Sequence, residues 1–116
     1  IVPLTVGGGI RLKILEAMAS GRPIVSTSIG CEGLEGRHGE HWRVEDEPEG
    51  FAHAIVDLIQ NPWKAEQLSV NARRLAEAVY DWDQVIPQQV ELYRTLRKSL
   101  LSLRPPGAEA SRPAWE

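Results

Sequence analysis

The residues of this chain best suited to chemistry are gathered in one run, Gly7-Gly8-Gly9-Ile10-Arg11-Leu12-Lys13-Ile14-Leu15-Glu16-Ala17-Met18-Ala19. Consecutive glycines let a backbone approach a ligand closely. The residues after them have helical character, and the first N–H groups of a helix have no partner inside it, so this start suits an anion. Arg11 and Lys13 fall in or beside the first turn, where the macrodipole disfavours a cation by about 0.3–1 kcal/mol. A bound phosphate would reverse that sign. Glu16, further along, needs a partner if its helix is buried, because an unpaired buried charge is costly. Lys13 one turn earlier could serve, or a ligand hydroxyl. The same residues also admit a purely structural account: Gly-Gly-Gly alone is unspecific, Arg11 can snorkel to water, and Glu16 can simply pair with Lys13.

The flanking elements decide where these residues stand. Ile1 to Val6 is a short apolar run, read as a strand over Ile1–Thr5, with Gly7–Gly9 as its turn into a helix from Ile10 to about Ser20. On a helical wheel Ile10, Ile14, Ala17 and Met18 share one side and Leu12, Leu15 and Ala19 the other, which predicts a helix packed on most sides. Gly21 stands where a C-cap glycine belongs, and Pro23 prevents continuation. Pro23–Thr27 is a second β-branched run, so strand, helix and strand form a βαβ unit with parallel strands. Ligands of such open sheets bind at the carboxyl ends of the strands, where the glycine turn and the loop after Thr27 both lie.

The string from Gly7 to Thr27 resembles the donor-binding motif of the GT-B glycosyltransferases, in particular the large retaining family 4, the group 1 glycosyl transferases. The likeness continues through Gly30-Cys31-Glu32-Gly33-Leu34 and His38-Gly39-Glu40-His41 into the helices beyond. It implies an α/β fold, the Rossmann-like C-terminal half of a GT-B enzyme, with a mainly parallel sheet flanked by helices. The nucleotide-sugar-binding domain would cover residues 1–103, truncated at its N-terminal side, with 82–101 as the terminal helix that crosses to the N-terminal domain. By resemblance Gly8, Gly9, Ile10, Arg11 and Leu12 face the donor diphosphate, Glu16 binds the ribose hydroxyls, and Lys13 supports the donor site. The family pattern carries an earlier glutamate that contacts the transferred sugar; here that position is Gly8, which removes one candidate catalytic carboxylate. The implied reaction is transfer of a glycosyl group from a UDP- or GDP-sugar to an acceptor hydroxyl, with retention and without a metal or other cofactor. Its acceptor-side residues would belong to the N-terminal domain, leaving this part inactive alone. The expected setting is cytoplasmic, with peripheral membrane association through that other domain.

Elsewhere the chain is organised by punctuation. Ser28–Gly36 reads as a loop with a helical turn around Glu32-Gly33-Leu34, then a tight turn at Arg37–Glu40 and a short strand His41–Val44. The acidic run Glu45–Glu47 before Pro48 suits a helix start, and Phe51, Ile55, Leu58 and Ile59 recur on one helical face. Asn61-Pro62 ends that helix and begins the next, with Leu68, Ala72, Leu75 and Val79 as its buried stripe. Trp63 and Trp82 read as packing anchors at helix starts. From Trp82 the positions Ile86, Val90, Tyr93, Leu96 and Leu100 keep a helical repeat to about Leu101, and the Pro-rich stretch 104–116 is expected to be disordered.

Composition narrows the field. At 116 residues the chain is read as one domain, and a net charge of −3 with scattered Lys and Arg gives no reason to expect nucleic acid. The first residue is not Met and stands inside a strand, which suggests a piece of a longer protein. The single cysteine, Cys31, fits a reducing compartment and reads as small apolar filler, since no His or Asn constellation accompanies it. His38 and His41 lack the third and fourth ligands of a zinc site, and His53 reads as surface. A competing function is an NAD-type dinucleotide module: Gly7-x-Gly9-x-x-Leu12 is a degraded fingerprint with Glu32 at about the right distance for its ribose acid. The third glycine is absent and Arg and Lys crowd the helix start. A non-catalytic structural domain of the same fold is the remaining class.

Overall fold

The computed structural model describes residues 1–8 and 11–102, with only the backbone of Leu101. Gly9, Ile10 and the expected tail over 104–116 lie outside the described residues. The chain divides into two compact units, Ile1–Trp82 and the run from Asp83.

The first unit is built on a small parallel sheet. β1 (Val25–Ser26) pairs with β2 (Arg43–Val44), Val25 opposite Arg43 and Ser26 opposite Val44, while Val2 forms a parallel bridge with Ser26. The Val2 N–H donates to the Val25 carbonyl at 2.9 Å and the Thr27 N–H to the Val2 carbonyl at 3.3 Å. The strand expected over Ile1–Thr5 is therefore reduced to one bridge. Pro3 has no N–H to extend the ladder, and the Leu4 carbonyl accepts instead from the Thr27 hydroxyl.

The helices described in this unit are α1 (Leu12–Ala19), the single turn α2 (Ser28–Cys31), α3 (Pro48–Gln60) and α4 (Pro62–Leu75), while α5 (Trp82–Ser102) lies, from Asp83 on, in the second unit. The described chain is thus mostly helical with a small parallel sheet, compatible with an α/β class. Pro48 and Pro62 each stand in a first turn, where a missing N–H costs nothing. α4 runs straight into a π-helical turn, Ala76–Tyr80. Ile24, just before β1, and Val25, its first residue, serve two cores, as both faces of a parallel sheet must be covered. Ile24 joins Val2, Ile14, Met18, Trp42, Ala72 and Ala76 in one cluster, whereas Val25 packs with Ala54, Leu58 and Leu68 in the other.

Several expectations are corrected. α1 starts at Leu12, and it is buried on one side only: Ile14 and Met18 are sealed, whereas Leu12, Lys13, Glu16 and Ala19 are exposed. The helical turn after β1 comes at Ser28–Cys31 because the Thr27 hydroxyl caps it, accepting from the Gly30 N–H at 3.0 Å. Trp63 and Trp82 are 74% and 71% exposed and anchor nothing in the first unit; the packed indole is Trp42, at 2%. Of the α3 face, Leu58 is buried and Ile59 exposed, with Ala54 taking the inner position. α5 forms as its repeat predicts, and Ile86, Val90, Tyr93, Leu96 and Leu100 are exposed on it.

Candidate functional site

The start of α1 lies at the carboxyl edge of the first strand. Arg11 is the N-cap residue, and its carbonyl accepts from the N–H groups of Ile14 and Leu15 at 3.0 and 3.2 Å. No side chain caps this end and no acid stands in its first turn. The amides of Leu12 and Lys13 precede the first possible intrahelical acceptor, so they keep donor capacity for a ligand. A side chain at Gly8 would meet nothing within 4 Å, so the turn is open there.

Arg11 does not snorkel to water. Its residue is 8% exposed, its Nη2 donates to the Gly7 carbonyl at 3.2 Å and thereby closes the glycine turn, and its Nε is buried without a hydrogen-bond partner. Nη2 also lies 3.7 Å from Oε2 of Glu32. Desolvating such a charge costs several kcal/mol. One charge-assisted bond contributes about 1.5–3 kcal/mol, and the 3.7 Å contact with an exposed Glu32 carboxylate is too long to add a hydrogen bond. Among the described residues the cation is thus under-compensated, beneath a turn that is open at Gly8.

Arg11, Leu12 and Lys13 line one hollow of about 300 Å³ together with Val2, Leu4 and Ile14. Glu16 borders a different one, about 380 Å³, with Leu15, Ala19, Ala76 and Tyr80 among its walls. The two hollows flank the same helix. Leu12 and Glu16, four residues apart, share its exposed face with a rise of about 6 Å between them. Glu16 is exposed and makes no ion pair with Lys13 among the described residues, so the expected need for a burial partner disappears. Gly9 and Ile10 lie outside the described residues. Glu32, the acid required by the dinucleotide alternative, is turned toward Arg11 instead.

Other residues at this edge carry structure. Asp46 accepts from both the N–H and the hydroxyl of Ser28, at 2.8 and 2.9 Å, tying the loop after β2 to the start of α2. The Tyr80 hydroxyl accepts from the Glu35 N–H. Neither link is visible as a spacing. Nδ1 of His38 accepts from the Val44 N–H and Nδ1 of His41 from the Arg37 N–H, both at 3.0 Å, so these ring nitrogens brace the turn between them. Burial pushes the Cys31 thiol above its ordinary range, and Sγ lies 3.3 Å from the Thr27 carbonyl, as expected of filler rather than a nucleophile.

A small parallel sheet with Gly7 and Gly8 ahead of an uncapped helix start is compatible with an α/β module. Residues 1–61, just over half the chain, match the family described as Glycosyl transferases group 1. This chain belongs to that family. It is 35% identical over 81 residues to an uncharacterized 44.6 kDa protein in the cps region of Klebsiella pneumoniae, covering 70% of this chain and 21% of that protein. A mannosyltransferase of Mycolicibacterium hassiacum, named for MMP α-(1→4) transfer, is 33% identical over 88 residues, 73% of this chain and 21% of its own. A D-inositol 3-phosphate glycosyltransferase of Rhodococcus jostii is 31% identical over 85 residues, 72% of this chain and 19% of its own. The chain therefore spans about a fifth of the length of these relatives. No solved structure matches it.

Proposed function

We propose that this chain is the Rossmann-like, nucleotide-sugar-binding part of a GT-B glycosyltransferase that transfers a glycosyl group, with retention and without a metal, from a UDP- or GDP-sugar to an acceptor hydroxyl. The observation that carries this is the hollow at the start of α1, where spare amide N–H groups, Lys13 and an under-compensated Arg11 converge. Such donors neutralise the charge that builds on a departing diphosphate, which is electrostatic stabilisation of the transition state. Backbone amides along Gly8–Leu12 would take the phosphate oxygens, with Lys13 as support. Glu16, one turn along the same exposed face, would accept from two vicinal ribose hydroxyls. The donor would lie along α1, from its positive tip to this carboxylate. Glycosyl transfer named for relatives supports the reaction class. Acceptor recognition would fall to an N-terminal domain, with the α5 stripe as the surface of a terminal crossing helix and the setting cytoplasmic, at a membrane face.

Calorimetric titration of the intact protein with UDP, GDP, NAD and inorganic pyrophosphate tests the assignment. A nucleoside diphosphate should bind best. Glu16→Ala should weaken it about tenfold, the worth of a charged hydrogen bond, while leaving pyrophosphate unchanged. Equal losses for the two ligands would remove Glu16 from the ribose, and preference for NAD would favour the dinucleotide alternative.

A further inference from the structure

Arg11 and Glu32 are an unequal pair. The arginine side chain is 7% exposed and the glutamate 73%, and their 3.7 Å separation is too long for a hydrogen bond. Glu32 lies at the C-terminal end of α2, next to Gly33, whose φ of +78° begins a loop with open space around it. Nothing described holds the carboxylate except this one charge contact. On the buried side, a guanidinium with five donors makes a single described hydrogen bond, to Gly7, and its Nε makes none.

An exposed carboxylate facing a buried cation is the arrangement of an exchangeable counter-ion. We propose that Glu32 is the resident counter-charge of Arg11 and is displaced when a phosphate-type anion enters the hollow at the start of α1. Glu32 then sets how tightly that anion is held. This rests on the diphosphate assignment of the hollow. The opposite role, in which Glu32 braces Arg11 so that the glycine turn can bind, predicts the reverse sign, which makes the two separable.

The test is titration of the intact protein and its Glu32→Gln and Glu35→Gln variants with inorganic pyrophosphate, UDP and GDP, beside thermal melts. Glu32→Gln keeps the shape and removes the charge. With Glu32 largely solvated and its contact too long for a hydrogen bond, pyrophosphate should bind about two- to fivefold tighter to Glu32→Gln. The unliganded variant should melt lower than wild type, and pyrophosphate should close that gap. Glu35→Gln removes the same charge three residues away without touching Arg11 and should leave affinity unchanged. Unchanged or weaker binding to Glu32→Gln, an equal gain in Glu35→Gln, or no pyrophosphate binding to any of the three would overturn the proposal. A gain for Glu32→Gln with UDP and GDP bound no better than pyrophosphate upholds the counter-charge and removes the nucleotide. Nucleotide preference without that gain does the reverse.

Discussion

Gly30→Ala probes the joint that holds the site's strand, turn and loop together. A Cβ built at Gly30 lies 2.2 Å from Ser26 Oγ, 3.0 Å from the Val2 carbonyl oxygen and 3.2 Å from Thr27 Oγ1. Ser26 is fully buried, and its hydroxyl lies 3.0 Å from the Thr27 carbonyl and 3.4 Å from that of Val2, so it has no solvent to move into. Overpacking of this kind costs about 1–3 kcal/mol. A displaced hydroxyl loses a further ~0.5–1.5 kcal/mol, and the better helix propensity of alanine returns at most about 1 kcal/mol. The net destabilisation should be near ~2 kcal/mol by this sum, read as a lower urea midpoint with unchanged slope. The cause is checked by a cycle. In a Ser26→Ala background the closest obstacle is gone and the remaining contacts can relax, so Gly30→Ala should cost at least about 1 kcal/mol less there. A single-variant cost below ~0.5 kcal/mol, or the same cost in both backgrounds, would refute the clash as the reason for glycine.

Three further outcomes are expected. Gly36→Ala should unfold the first unit more readily than Gly30→Ala, since its Cβ would meet Trp42 Cη2 at 2.3 Å with φ at +156°, and the buried indole cannot retreat; loss of Trp42 fluorescence on urea titration reads it. The Lys64 ammonium bonded to Asp57 holds that carboxyl below its ordinary range, so its contribution is present above about pH 4 and lost as pH falls through the lowered value. Melting temperatures of wild type and Asp57→Asn should accordingly differ at pH 6 and converge in strong acid. Because burial raises the Cys31 pKa, its stabilising contribution should be full below about pH 8.5 and fade as pH rises toward the raised value. At pH 8 iodoacetamide should modify the native thiol many-fold more slowly than the urea-unfolded one, followed by mass.

Local punctuation was legible in the sequence: Gly21 with Pro23, Pro48 after an acidic run, and Asn61-Pro62 all mark helix ends that the structure keeps, because each rests on backbone chemistry that no tertiary contact alters. The parallel sense of Val2 against Ser26 was legible too, as a strand, helix and strand in so few residues leave one simple way to close. Tertiary facts were not. Which tryptophan is buried depends on Gly36 yielding space to Trp42, a pairing with no periodicity. The burial of Arg11 against the Gly7 carbonyl, with Glu32 nearby, has no signature in spacing, since both contacts depend on how the loops fold back. The open face of α1 was hidden by counting Leu12 as apolar and therefore buried. An exposed leucine beside the proposed donor groove is what the wheel could not distinguish from core.

The π turn at Ala76–Tyr80 makes the chain between Leu75 and Trp82 a ruler. Its wide turn accommodates one residue more than a regular helix would, and losing that residue would swing everything beyond by about 100°. Tyr80 would then miss Glu35, and the loop that carries Glu32 would be unhooked from the end of α4. Length variation should therefore be forbidden in this stretch, even though most of its side chains touch solvent and their identities are free to drift.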